Sequence, residues 1–232
     1  LPIADDTDLT QIAAITDDEK IATVKLMIGE LEWRDGRETA GKVAKQVKRN
    51  LQAIMNTESG RAIRAELQPL IEENRVLKAA ARPRRMSPLL ISKTGDGGHY
   101  GAHVDNALMG KGANRLRTDL SFTLFLSNAE DYEGGELVVH NAGGAQSIKG
   151  DWGQMVIYPS TTIHEVKPVT KGERIVCVGW IESLIPDPAQ RELLFDMENL
   201  RTSLRQKHDT KSPEMLTLDK SMANLLRMWC QP

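Results

Sequence analysis

One short stretch carries residues that could hold a metal ion: His99-Tyr100-Gly101-Ala102-His103-Val104-Asp105. Side chains two apart along a strand share a face, so His103 and Asp105 project together. An imidazole and a carboxylate are two of the three ligands in the facial triad that binds non-haem Fe(II). A third ligand is required. His99 has the same strand parity but stands roughly 13 Å from His103 along a straight strand, too far to share one ion. His140 ends a strand before Asn141-Ala142-Gly143-Gly144, and His208 lies in the helical tail; both read as solvent-facing. His164, opening a late strand within Pro159-Ser160-Thr161-Thr162-Ile163-His164-Glu165-Val166, is the best third ligand. Arg174 follows ten residues later. Residues 164–168 and 174–180 read as an antiparallel hairpin around Lys171-Gly172-Glu173. With residue 168 opposite 174, His164 and Arg174 would share one face. A guanidinium slightly deeper than the metal suits a bidentate grip on the far carboxylate of a chelating dicarboxylate.

The elements that must position these residues fall into three regions. Residues 1–82 read as mainly helical support. Ile21, Val24, Met27, Ile28 and Leu31 recur at helical spacing behind Asp17-Asp18-Glu19, whose carboxylates suit a helix N-terminus. Trp33 to Arg37 reads as a short edge strand with a turn, and residues 41–55 and 57–80 as two more helices. Lys42, Lys45, Lys48 and Arg49 would form a basic, solvated helix face. Residues 83–183 change texture, with β-type runs at 86–93, 99–106, 118–127, 136–140, 145–148, 154–158, 163–169 and 174–182 separated by glycine-rich turns. Short strands without intervening helices predict a sandwich, jelly roll or barrel. Residues 184–232 return to helix, with apolar stripes over 190–205 and 216–229 that could also pair two copies of the chain. The fold class expected is α+β.

With the ligand pattern and the strand order in place, the chain resembles a known family. It is similar to the PKHD-type hydroxylases, a bacterial, iron-uptake-associated branch of the Fe(II)/2-oxoglutarate dioxygenases in the prolyl 4-hydroxylase superfamily. The resemblance is carried by Asp35-Gly36-Arg37 with Thr39-Ala40-Gly41, Val47-Lys48-Arg49-Asn50-Leu51, His103-Val104-Asp105-Asn106-Ala107 and Arg117-Thr118-Asp119-Leu120-Ser121-Phe122-Thr123. Gly134-Gly135-Glu136-Leu137, Tyr158-Pro159-Ser160 and Gly179-Trp180-Ile181-Glu182-Ser183 complete it. It spans roughly residues 30 to 230 and implies a double-stranded β-helix, or jelly-roll, core. It implies His103, Asp105 and His164 as Fe(II) ligands, and Arg174 and Tyr100 as contacts of the cosubstrate 2-oxoglutarate. It also implies O2 as oxidant, L-ascorbate as reductant, and hydroxylation of a small-molecule or peptidyl substrate coupled to release of succinate and CO2. Where many superfamily members have a tyrosine nine residues before the first ligand, this chain has Thr94.

Composition narrows the remaining possibilities. The 232 residues carry 30 Lys+Arg against 32 Asp+Glu, a net charge of −2, without the basic excess of a general nucleic-acid binder. Two cysteines make no disulfide scaffold, no apolar run is long enough to span a bilayer, and the first thirty residues do not read as a signal peptide. A cytoplasmic location is expected. Two rivals share the ligand set. A non-catalytic iron and 2-oxoglutarate sensor would keep the same site, and a zinc hydrolase also uses two histidines and a carboxylate but has no use for Arg174. Arg82, Arg84, Arg85, Lys111, Arg115 and Arg117 are candidates for a positive substrate rim, and residues 107–114 for a lid.

Overall fold

The structure, a computed structural model, describes residues 9–38 and 47–231. The N-terminal elements are β1 (Thr10–Ala13), α1 (Asp18–Gly29), β2 (Trp33–Asp35), β3 (Lys48–Arg49), β4 (Leu51–Ala53), α2 (Glu58–Glu72) and α3 (Arg75–Ala81). The strand-rich region holds β5 (Pro83–Met86), β6 (Leu90–Thr94), β7 (His99–His103), β8 (Leu108–Met109), β9 (Leu116–Arg117), β10 (Leu120–Phe125) and β11 (Tyr132–Gly134). It continues through β12 (Leu137–Asn141), β13 (Gly144–Ile148), β14 (Gln154–Pro159), β15 (Ile163–Val166), β16 (Val169–Gly172) and β17 (Arg174–Ser183). Helices α4 (Pro188–Leu204) and α5 (Pro213–Trp229) follow.

Among the described residues, the strands build two large antiparallel sheets and two two-stranded pairs, β11 with β16 and β8 with β9. The larger runs β1-β14-β10-β17-β6-β4-β2, with β5 also paired to β17; the smaller runs β13-β12-β15-β7-β3. This is the jelly-roll core that the family resemblance implies, and one of the three architectures that the turn-punctuated pattern predicts. Strand β10, Leu-Ser-Phe-Thr-Leu-Phe, is buried at every position, because both faces of the larger sheet are covered. Leu120, Phe122 and Leu124 join Met155, Ile157, Cys177 and Ile181 in a cluster with Ile63, Leu67 and Ile71 of α2. The α2 residues recur at i, i+4 and i+8, one helical stripe. Phe125 belongs to a second cluster between the sheets, with Leu137, Val139, Ile148, Val156, Tyr158 and Val176. The outer face of β10 thus packs on helix, while its inner face looks across the sandwich.

Three sequence expectations need correction. The helix expected over 41–55 is not found in its described part: residues 48–49 and 51–53 are β3 and β4. Leu51 is 40% exposed, whereas Lys48 and Gln52 are buried. Pairing with β7 and β6 overrode the helical spacing. Lys42 and Lys45 lie outside the described residues, and the remaining pair of the supposed basic face, Lys48 and Arg49, lies on a strand. Second, the run over 86–93 is split at Ser87–Leu89 into β5 and β6, both paired to β17. Third, residues 164–168 and 174–180 do not form a hairpin. β15 pairs with β12 and β7 in the smaller sheet, β17 with β10 and β6 in the larger one, and β16, between them, pairs with β11.

The C-terminal helices are tied to the core through α3, which α4 packs against, and by a half-buried ion pair, while Glu182 of β17 binds the β5 arginines. Glu182 accepts from Arg84, Arg85 and the Arg117 backbone N–H, and Arg82 pairs with Glu198 of α4. Burial pushes the Glu182 carboxyl up, but these donors outweigh it and hold the group below its ordinary range. Among the described residues, no helix is long and apolar enough to cross a membrane.

Candidate functional site

A cavity of about 550 Å³ opens between the two sheets, and all five residues expected at the site line it. His103 ends β7 and His164 lies on β15; the antiparallel register sets them directly opposite each other, with ring centroids 4.3 Å apart. Asp105 follows two residues after β7. Its Oδ1 is 4.0 Å from His103 Nε2, and its Oδ2 is 3.7 Å from His164 Nε2. One donor atom from each residue lies within 4.8 Å of the others. The backbone fixes both imidazoles. His103 Nδ1 lies 2.8 Å from Gly101 O and His164 Nδ1 3.1 Å from Thr162 O, so each Nδ1–H donates to a carbonyl and leaves the Nε2 lone pair facing Asp105. Burial and the adjacent His164 push the His103 imidazole down to about 4, so it is neutral and able to ligate at physiological pH. Two imidazoles and one carboxylate are the donor set that suits Fe(II).

A third element steadies the carboxylate. Ser121 of β10, in the opposite sheet, donates to Asp105 Oδ2 at 2.6 Å, and its Oγ lies 2.7 Å from Ser160 Oγ. With the Ser121 hydrogen given to Asp105, Ser160 must donate to Ser121. Both serines are buried. The sequence reading passed them over, although hydroxyls in a wholly buried strand are a signal of a polar task. Removing the Ser121 hydroxyl should cost roughly 10–100-fold in metal affinity, the usual price of a lost outer-shell partner. Equilibrium dialysis of Ser121→Ala against Fe(II) or Mn(II) measures this, and wild-type affinity would contradict it.

Arg174 opens β17 and is 3% exposed, deep in the cavity on the larger sheet. It faces His164 from across the sandwich and does not share its sheet. Its guanidinium lies 5.6 Å from the Phe125 ring. No carboxylate forms an ion pair with it among the described residues, and its Nε is buried without a hydrogen-bond partner. Burial lowers its pKa, against the opposing pull of Tyr132 and Tyr158. Gly135 makes room for the side chain: a Cβ there would lie 3.1 Å from Arg174 Cδ and 2.9 Å from Val169, at a φ of +69° that disfavours other residues. Thr94, the departure from the superfamily tyrosine, pairs directly across from Arg174 and lines the same cavity. An unpaired buried guanidinium calls for an anion from outside the chain. It fits the free carboxylate of 2-oxoglutarate.

Tyr100 stacks on His103, with centroids 3.7 Å apart and planes at 19°. Burial pushes its phenol up to about 12, so it remains a neutral donor. Three histidines stay outside the centre. His99 is half-buried near Gly97 O, His140 sits 3.4 Å from Glu165, and His208 is exposed beyond α4. The supposed positive rim does not line the cavity. Arg82, Arg84 and Arg85 are committed to Glu198 and Glu182, and Arg117 to Asp119. Within 107–114, Met109 does line it, from the β8–β9 hairpin.

A jelly roll with this donor set and a buried guanidinium defines a 2OG-Fe(II) oxygenase, and residues 89–182 match the model of the 2OG-Fe(II) oxygenase superfamily. Residues 188–231 match the C-terminal domain of PKHD-type hydroxylases. A PKHD-type hydroxylase of Hyphomonas neptunium is 50% identical, over 94% of this chain and 97% of that protein. The chain belongs to the PKHD-type hydroxylase family. Among solved structures, a Trichoplax adhaerens prolyl hydroxylase in complex with a hypoxia inducible factor peptide fragment superposes with a TM-score of 0.56 at 14% identity, covering 76% of this chain and 84% of that one. HygX from Streptomyces hygroscopicus, with nickel, 2-oxoglutarate and hygromycin B bound, gives 0.52 at 11% identity, over 77% and 84%. At these identities the two structures speak for the fold.

Proposed function

We propose that His103, Asp105 and His164 hold Fe(II), that Arg174 grips the distal carboxylate of 2-oxoglutarate, and that Tyr100 donates to the bound cosubstrate. The protein is a 2-oxoglutarate-dependent dioxygenase, and this assignment gives its hydroxylase activity a site. The observation that carries it is one cavity with three convergent ligand atoms at one place and an unpaired, buried guanidinium at another. A metal alone explains the first, and only a metal together with a carboxylate cosubstrate explains both. That pairing disfavours the zinc hydrolase.

Bound iron would supply O2 activation, coupling decarboxylation of 2-oxoglutarate to succinate and CO2 with hydroxylation of the substrate. The chain's own residues orient and exclude. The Gly101 and Thr162 carbonyls fix both imidazoles, and Ser121 sets the carboxylate plane. Stacking on Tyr100 limits rotation of the His103 ring. Leu137, Val166, Val176 and Val178 make the cavity wall apolar and keep water away from the reacting centre.

By this reading residues 83–183 are the catalytic core, 1–82 its support, with strands added to both sheets, and 184–232 a helical region. Ascorbate as reductant, a cytoplasmic location and a substrate that is a small molecule or peptide follow from the resemblance. So does the absence of a nucleic-acid or membrane partner, supported by the near-neutral charge. Exposed Leu193, Leu200 and Leu216 on the C-terminal helices would be the contact between two copies. The test is anaerobic titration with Fe(II) and then 2-oxoglutarate. A weak visible charge-transfer band should appear only when both are present. No band, with tight zinc binding instead, would return the hydrolase to the front.

A further inference from the structure

Lys48 is the cation in the cavity that this function leaves unused. It sits on β3, at the edge of the smaller sheet, and is 9% exposed. Its Nζ stands 5.1 Å from the centre of the Tyr100 ring, which in turn stacks on His103. Among the described residues no carboxylate forms an ion pair with it. Burial draws its ammonium down to about 8, against the attraction of Asp105 and Asp35. Lysine is seldom buried unpaired, so the position calls for an anion.

The cosubstrate does not meet that need. Arg174 lies among Tyr132, Tyr158 and Phe125 on β17 of the larger sheet, whereas Lys48 lies over Tyr100 on β3 of the smaller one. Formal charge points the same way. Asp105 and the two carboxylates of 2-oxoglutarate match the charge of Fe(II) and Arg174, and Lys48 is left over. The wall beside it is polar: Asn50, whose Nδ2 donates to Ser92 at 2.6 Å, together with Gln52 and Ser92 itself.

We infer that Lys48 forms the recognition site for a carboxylate of the primary substrate, so that the substrate class is a carboxylic acid, either a small acid or a peptide carboxylate. A lone ammonium matches a singly charged carboxylate better than a phosphate dianion, which needs several donors. The inference rests on the Fe(II)/2-oxoglutarate reading of the same cavity.

The test loads the protein with Zn(II), a diamagnetic stand-in, and 2-oxoglutarate. Saturation-transfer NMR then compares three pools of N-acetylated dipeptides with varied side chains: free acids, C-terminal amides, and amides bearing a phosphate ester. Acids should bind wild type about tenfold or more tightly than amides, the scale of a lost charge-assisted hydrogen bond. Lys48→Met should erase that preference and Lys48→Arg should keep part of it, while 2-oxoglutarate affinity should change far less than acid affinity, because Lys48 meets the cosubstrate site only through the Tyr100 ring. The inference falls if no acid binds, if acids and amides bind alike, if the phosphate pool binds best, or if Lys48→Met weakens 2-oxoglutarate as much as it weakens the acids. Loss of 2-oxoglutarate binding in wild type would instead remove the underlying reading.

Discussion

Arg174→Met should raise the 2-oxoglutarate concentration needed to form the chelate by about two to three orders of magnitude, the scale of a lost bidentate, charge-assisted pair in a dry site. Arg174→Lys should recover little, because an ammonium cannot reproduce the planar fork and must reach the same depth. The same substitution should act in the opposite sense on the ligand-free protein. The guanidinium is buried, and no carboxylate pairs with it among the described residues, so an apolar chain of similar length removes a desolvated charge. Thermal unfolding without ligand should therefore give a Tm equal to or above wild type, while 2-oxoglutarate no longer raises it. A general structural role predicts the reverse, a lower Tm with 2-oxoglutarate affinity little changed.

Asp105→Ala should abolish measurable Fe(II) binding, with a loss exceeding the roughly 10–100-fold that an outer-shell change produces. Asp105 is the one carboxylate lining the cavity among the described residues, and its two oxygens stand opposite the two Nε2 atoms. Without it, two imidazoles face a divalent cation with no anion to offset the charge. The core should survive, because the released Ser121 and Ser160 hydroxyls still have each other. Anaerobic dialysis measures the affinity, and circular dichroism checks the fold. Fe(II) retained at wild-type affinity by a folded variant would place the metal elsewhere.

The convergence of His103, Asp105 and His164 was legible in the sequence, although β7 ends at His103, so Asp105 reaches the site from just beyond the strand and not from the strand face expected. His103 and Asp105 stand two apart, and His164 was reached by setting aside His99 on distance and His140 and His208 as solvent-facing. The relation of His164 to Arg174 was misread because ten residues suggest a hairpin. In a jelly roll, strands close in sequence can cross to the opposite sheet, and here β16 intervenes between them. Residues 47–55 failed for a related reason. Val47, Leu51 and Ile54 keep helical spacing, but Leu51 faces out while Lys48 and Gln52 face in. Polar residues point inward there because they line a cavity, so the usual rule linking apolar character to the interior is inverted at the site. Ser121 was hidden by its small size in an otherwise apolar strand, and the basic run at 82–85 looked available because its partners, Glu182 and Glu198, are about a hundred residues away.

The packing around Arg174 also bears on when its freedom is lost. A long arginine chain free in solution gives up roughly 2 kcal/mol of rotamer entropy when it is fixed. Here Tyr132, Phe125, Tyr158 and the Gly135 backbone enclose it before any ligand arrives, and β17 pairs on both edges along the stretch that begins with it. That entropy is surrendered once, during folding, so a dicarboxylate meets a fork already aimed and its association need not carry the cost of ordering it.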